Sequence, residues 1–336
     1  MRQTESTRDV VLEVRDLKIS FDTIEGELKA VDGVSYQIKK GQTLGLVGES
    51  GCGKTVTALA VLRLLDTPPA IIKKGEIIFQ NTNILEISEK QINDIRGNSI
   101  AMVFQEPMSS LNPVLSIGFQ IEELVKIHTQ MRKTQCRKRS LELLSLVGIP
   151  APDRRLREYP HQLSGGMRQR VMIAMALACD PKILIADEPT TALDVTIQAQ
   201  ILELLLNLRE KLGMSILFIT HDLGVIAEMA HRVAVMYAGK IVEEADVRTI
   251  FKEPFHPYTK GLLKSVPRIR NGTDSQRLHE IQGTVPNLSR LPKGCYFFDR
   301  CSFKESKCSD QSPELLPISE GHLVRCWLIE NERHSA

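Results

Sequence analysis

A chain of 336 residues is long enough for one large domain with an appendage, or for two domains. Hydrophobic residues make up 42% and charged residues 25%, an ordinary globular balance that argues against a long disordered or fibrous chain. The net charge of +2 lacks the basic excess of a nucleic-acid binder, and the densest basic tract, Arg132, Lys133, Arg137, Lys138 and Arg139, reads as a solvated helix face.

Residues 1–9 are polar and charged, so no secretory signal is expected. The longest purely apolar run, Val171 to Cys179, falls far short of the ~20 residues that span a bilayer. At a membrane, other subunits would have to supply the spans. Val34, Tyr36 and Ile38 alternate with polar residues, as in a half-buried strand. Thr43–Val47 reads as a buried strand ending at a glycine. Lys54–Leu65 has helical spacing and stops before Pro68-Pro69. Ser99–Phe104 is a further strand. Residues 116–148 are helical, with Ile117, Ile121, Leu124 and Val125 on one face and Pro150 ending the second helix. Arg168–Ala178 predicts a helix, Lys182–Ala186 a buried strand, Thr196–Leu212 a helix capped by Gly213, and Ser215–Thr220 a buried strand. Strands alternating with helices predict an α/β fold with a mainly parallel sheet, interrupted by a helical insertion at 116–180. Beyond about residue 268, polar residues, prolines and cysteines predict a small appended tail, too poor in apolar residues to build a core unaided.

Gly48-Glu-Ser-Gly-Cys-Gly53-Lys54-Thr55 fits G-x-x-x-x-G-K-[ST] and lies between a predicted strand and a predicted helix. Glycines let backbone N–H groups converge on phosphate oxygens, and the following helix presents its positive end to the same anion. Lys54 is expected to reach the β- and γ-phosphates of ATP, and Thr55 to bind Mg²⁺ through its hydroxyl. The nucleotide-binding set is therefore Gly48, Ser50, Gly51, Cys52, Gly53, Lys54, Thr55 and position 56. The apolar run Lys182–Ala186 ends in Asp187 and Glu188. Asp187 is expected to hold the water shell of Mg²⁺, and Glu188 to polarise the attacking water.

Leu163-Ser164-Gly165-Gly166-Met167 forms a second glycine-rich nest at a predicted helix start. One nucleotide needs only one phosphate loop, so the second nest makes sense if it closes on a γ-phosphate held by another subunit. Here the chain resembles the ABC ATPases, over residues of about 10–265. The resemblance implies a P-loop NTPase fold with an antiparallel β N-terminal subdomain, a helical subdomain at about 106–180 and an ATPase domain over 1–265. It implies that Gln105 senses Mg²⁺ and γ-phosphate, and that Leu163–Met167 is the signature loop, with Met167 replacing the commoner glutamine. It further implies that Asp194 lies in the loop crossing the dimer interface and that His221 is the switch histidine. Phe21 is the candidate to stack on adenine, with Tyr36 less favoured by position.

Phe251-Lys-Glu-Pro-Phe-His256-Pro257-Tyr258-Thr259, then Gly283-Thr-Val-Pro286, Leu291-Pro292-Lys-Gly294-Cys295 and Arg300-Cys301, resemble the end of the ATPase subunits of dipeptide and oligopeptide importers. The D-type branch is the nearest in pattern, although Asp299 stands where that branch places a proline. The tail is expected over 266–336. Its cysteines, Cys295, Cys301, Cys308 and Cys326, have the spacing C-x5-C-x6-C-x17-C. The residues alone leave an iron–sulfur cluster, Zn²⁺ and unligated thiols open, and the resemblance implies a [4Fe-4S] cluster. It also implies a second, homologous ATPase subunit (or a homodimer in isolation), two transmembrane permease subunits, an external peptide-binding protein and a place on the cytoplasmic face of the membrane. An importer ATPase for another solute such as nickel, or a soluble ABC ATPase, are the rival expectations.

Overall fold

The computed structural model describes residues 9–24, 26–106, 110–191, 193–265 and 281–333. The N-terminal residues expected to carry no secretory signal, and the start of the predicted tail, lie outside the described residues. In chain order the strands are β1 (Val10–Thr23), β2 (Gly26–Lys39), β3 (Thr43–Val47), β4 (Ala70–Phe79), β5 (Thr82–Asn83), β6 (Ile100–Val103), β7 (Ile183–Asp187), β8 (Ser215–Thr220), β9 (Arg232–Tyr237), β10 (Lys240–Asp246), β11 (Leu316–Ser319) and β12 (His322–Val324). The helices used below are α1 (Lys54–Val61), α2 (Glu89–Ile95), α3 (Ile117–His128), α4 (Lys133–Leu146), α5 (Pro152–Arg155), α6 (Gly165–Ala176), α7 (Val195–Leu212), α8 (Leu223–Met229), α9 (Val247–Lys252) and α10 (Pro257–Ser265).

The chain divides into two compact units: Met1–Leu12, Ile38–Thr43 and Phe79–Ile219 form the first, and Glu13–Gln37, Leu44–Ile78 and Thr220–Ala336 the second. In the first unit β6, β7 and β8 run parallel, with Ile100 opposite Ile183 and Ile183 opposite Ser215. Every residue of β7 and β8 is buried, which is why both read as continuous apolar runs without alternation. The predicted insertion is a helical bundle in which α3, α4 and α6 pack on one another. Ser116 caps α3 by accepting from Phe119 N; of the predicted face Ile117, Ile121 and Val125 are fully buried, while Leu124 is only half-buried.

In the second unit β1 lies between β2 and β4. Val34, Tyr36 and Ile38 of β2 are buried, so the alternation reports the core face of that strand. β3 pairs parallel to β9, while β9, β10, β12 and β11 are antiparallel neighbours. The described part of the tail packs on the sheet, with Phe297, Val324 and Ile329 buried. β12 extends the sheet by setting Val324 opposite Glu243, and Arg325 donates to the carbonyls of Ile241 and Val242. Glu243 is fully buried and accepts from the backbone N–H of Phe255 (2.7 Å) and of His256 (2.9 Å), while His322 Nε2 lies 2.8 Å away. This arrangement meets the requirement that a buried carboxylate be hydrogen-bonded.

A second tether joins Tyr296 Oη to Asp32 Oδ2 at 2.7 Å, with Lys240 Nζ 2.8 Å from the same oxygen. Burial pushes the Asp32 carboxyl up, but hydrogen bonds from Lys240 and Tyr296 and the Lys240 charge outweigh it and hold the carboxyl down at about 2. Burial also lowers Lys240, although its pairing with Asp32 opposes that shift. A depressed carboxylate stabilises the folded chain above its unfolded value of about 3.9 and loses that contribution as pH falls toward 2. In chemical unfolding followed by fluorescence, the stability gap between the native chain and an Asp32→Asn variant should therefore narrow between about pH 4 and pH 2.

Candidate nucleotide site

The strand, loop and helix of the phosphate motif are β3, residues 48–53 and α1. Gly53 caps α1 in a left-handed conformation, φ 103. A Cβ there would lie 2.3 Å from the Ala30 carbonyl oxygen, and one at Gly48 would lie 2.1 Å from that of Met236. Backbone is the obstacle in both cases, so no side chain could yield. The glycines are required by close approach as well as by φ. Lys54 is buried, and its Nζ donates to the carbonyls of Gly48 (2.8 Å) and Glu49 (3.0 Å), which places the ammonium inside the ring of the loop. Thr55 is exposed in the first turn of α1, and position 56 is a valine that can offer only its backbone N–H. Cys52 is buried, and its burial pushes the thiol up.

The loop is gripped from outside by groups not expected from the sequence. Glu49 N–H donates to Tyr258 Oη at 3.0 Å. The Glu49 carboxylate accepts two hydrogen bonds from the Arg300 guanidinium, at 2.7 and 3.0 Å. Tyr237, Tyr258 and Phe297 form an aromatic cluster below, with ring centroids 4.6–5.5 Å apart. The segments Phe251–Thr259 and Arg300-Cys301 stand out in the sequence as family patterns, but nothing in one dimension ties Arg300 to Glu49.

Other expected residues of this second unit fall as follows. Phe21 is half-buried near the end of β1. Tyr36 is buried with its hydroxyl unpartnered among the described residues, so it is a core residue. His221 is exposed at the end of β8, one residue before Asp222, which caps α8.

In the first unit Asp187 is buried at the end of β7. Glu188 follows with φ 46, its N–H bonded to Ile219 O at 2.9 Å. Its carboxylate accepts from Gln105 Nε2 (3.1 Å) and from Thr191 Oγ1 (2.9 Å), so the structure brings together Glu188 and Gln105, residues 83 positions apart. Helix α6 begins at Gly165, three residues before the predicted Arg168, because Ser164 Oγ accepts from Met167 N and caps it. A Cβ on Gly166 would meet Ile197 at 2.8 Å. Asp194 caps α7 by accepting from Ile197 N at 2.9 Å.

The expected [4Fe-4S] or Zn²⁺ site is corrected. Among the described residues no group of three or more His, Cys, Asp or Glu side chains is placed to hold a metal ion. Cys295, Cys301, Cys308 and Cys326 are thiols lining a small cleft with Phe297, Phe298, Phe303 and Trp327. Burial there pushes the Cys295 thiol up to about 11 and that of Cys326 up to about 12. The tail needs no metal staple, because β12, Tyr296 and Arg300 already fasten it.

Residues 31–191 match the family model for the ABC transporter, and residues 242–308 match that for the oligopeptide/dipeptide transporter C-terminal region. A probable peptide ABC transporter ATP-binding protein of Sinorhizobium fredii is 53% identical over 97% of this chain and 97% of its own length. The chain belongs to the ABC transporter ATPase family. The oligopeptide transport ATP-binding protein OppD of Bacillus subtilis is 52% identical over 95% of this chain and 89% of its own. Among solved structures, a dimeric post-hydrolysis state of the ATP-binding cassette MJ0796, bound to ADP and Pi, superposes with a TM-score of 0.63 at 29% identity, over 70% of this chain and 99% of that one. Among the described residues no helix is long and apolar enough to cross a membrane.

The loop geometry ranks its glycines. Gly53→Ala forces a Cβ onto backbone and a residue with side chain into φ 103, so ATP affinity should fall roughly 100-fold or more, equivalent to about 3 kcal/mol. Gly51, with φ 75 but open space around its Cβ position, should lose only about 1–2 kcal/mol as Gly51→Ala. Equilibrium binding of a fluorescent ATP analogue to the two variants checks that order.

Proposed function

We propose that this chain is the ATP-hydrolysing motor of a peptide importer, peripheral on the cytoplasmic side of a membrane and working with a second ATPase subunit, two permease subunits and, indirectly, an external peptide-binding protein. One observation carries the reading: a loop with no room for a Cβ at Gly48 or Gly53 and a buried lysine at its centre, in a chain whose residues 242–308 match the oligopeptide/dipeptide transporter C-terminal region. Relatives over nearly the full length are named as peptide, oligopeptide and dipeptide transport ATP-binding proteins.

In this reading the backbone N–H groups of Gly48–Thr55 and the Lys54 ammonium bind the triphosphate, and Phe21 supplies the face for adenine. The loop's buried cation and close-set glycines suit Mg-ATP, for which Thr55 offers a hydroxyl and Asp187 a carboxylate. Mg²⁺ supplies charge neutralisation for the triphosphate when bound. Glu188 orients the attacking water and accepts its proton, Gln105 holds the Glu188 carboxylate, and His221 stabilises charge developing on the γ-phosphate. Ser164 and the glycines after it, presented by one subunit, close on the nucleotide held by the other. The reading takes residues 1–265 as the ATPase domain and 266–336 as the tail.

Glu188→Gln keeps the size of the side chain and one acceptor oxygen for Gln105 and Thr191, and removes the base. Hydrolysis in the assembled transporter should fall at least ~100-fold while ATP binding persists. Uptake of labelled di- and oligopeptides into vesicles bearing the assembled complex should require ATP and stop in that variant. ATP-driven uptake of nickel, with no peptide uptake, would contradict the substrate assignment.

A further inference from the structure

The second residue of the phosphate loop is a carboxylate, which is electrostatically adverse beside a bound polyanion. Glu49 is answered by Arg300, from the C-terminal region 251 positions away, through two hydrogen bonds of 2.7 and 3.0 Å. The Arg300 side chain is 5% exposed and that of Glu49 28%, so water screens the pair only partly. Arg300 is itself clamped. Its guanidinium donates to the carbonyls of Ile281 (3.3 Å) and Gln282 (3.2 Å) and lies 5.7 Å from the Tyr237 ring centroid and 5.9 Å from that of Phe297. The same loop residue donates its N–H to Tyr258 Oη, and its carbonyl accepts from Lys54 Nζ. Glu49 thus joins Lys54 on one side to the C-terminal region on the other.

We propose that Arg300 is a positioning residue for ATP: by neutralising Glu49 and fixing its side chain away from the loop's interior, it makes the docked C-terminal region a working part of the phosphate loop. An unopposed Glu49 would repel the triphosphate and compete as an anion for Lys54. Planar two-point pairing holds the carboxylate's direction as well as its charge, which a lysine could not do. The inference rests on ATP binding by the loop and not on the identity of the transported solute.

The test measures ATP hydrolysis and ATP binding in the assembled transporter. Arg300→Met should raise KM for ATP at least tenfold, about 1.4 kcal/mol, with kcat at saturating ATP reduced less than threefold. Adding Glu49→Gln should bring KM back to within threefold of the native value, because the charge that Arg300 answers is gone. A merely structural role for Arg300 would not be rescued that way. A KM within twofold of native in Arg300→Met, or a double variant no better than the single, would overturn the proposal. Should Arg300→Met fail to fold, Arg300→Lys decides, because a lysine keeps the charge but not the two-point pairing: a KM raised at least threefold supports the proposal, and a KM within twofold of native contradicts it.

Discussion

The structure depends on a steric constraint: the phosphate loop passes so close to neighbouring backbone that only glycine fits at two of its positions. Gly48 and Gly53 lie against the carbonyls of Met236 and Ala30, contributed by β9 and by β2. That closeness fixes the path of the chain into α1 and directs its first N–H groups to one side. Lys54 then turns back into the loop. A loop with more room would bind phosphate less directly and would not need the supports observed around it.

Each of the two units builds its own part of the machinery. In the second, the loop is framed by β3 and β9 and held from outside by Tyr258, Arg300 and the aromatic cluster of Tyr237, Tyr258 and Phe297. In the first, three fully or largely buried parallel strands deliver Asp187 and Glu188 at the end of β7, and Gln105, just past β6, bonds the second of them. The positive φ at Glu188 breaks the strand direction just past β7, where its half-buried carboxylate meets Gln105 and Thr191. Ser164 at the start of α6 and Asp194 at the start of α7 each cap their own helix, so both glycine- and acid-bearing turns are built locally and held in place before any partner arrives.

The parts legible in the sequence were those with short-range causes. Thr43–Val47 and Ser215–Thr220 were readable to the residue because strands buried on both faces leave unbroken apolar runs. The sequence places the start of α6 three residues too late, since glycine's poor helix propensity hides the capping by Ser164 that starts it. Helix α1 stops at Val61, short of the predicted Leu65, where Arg63 adopts a left-handed φ of 49. The glycine-lysine loop was legible because its chemistry lies in eight consecutive residues. The Arg300–Glu49 pair was not, because charges separated by 251 positions carry no mutual signal in a single sequence. Four spaced cysteines suggest metal ligands, yet spacing along the chain does not place side chains together, and among the described residues no group of three or more His, Cys, Asp or Glu side chains could hold a metal ion.

The central claim is that ATP held by Gly48–Thr55 is completed by the signature loop of a second ATPase subunit. The most direct measurement is a structure of the assembled transporter carrying Glu188→Gln with Mg-ATP bound. The account predicts a nucleotide whose phosphates meet this chain's loop on one side and the partner's glycine-rich signature loop on the other. A nucleotide bound elsewhere, or one lying at Gly48–Thr55 with no contact from a second subunit, would contradict it.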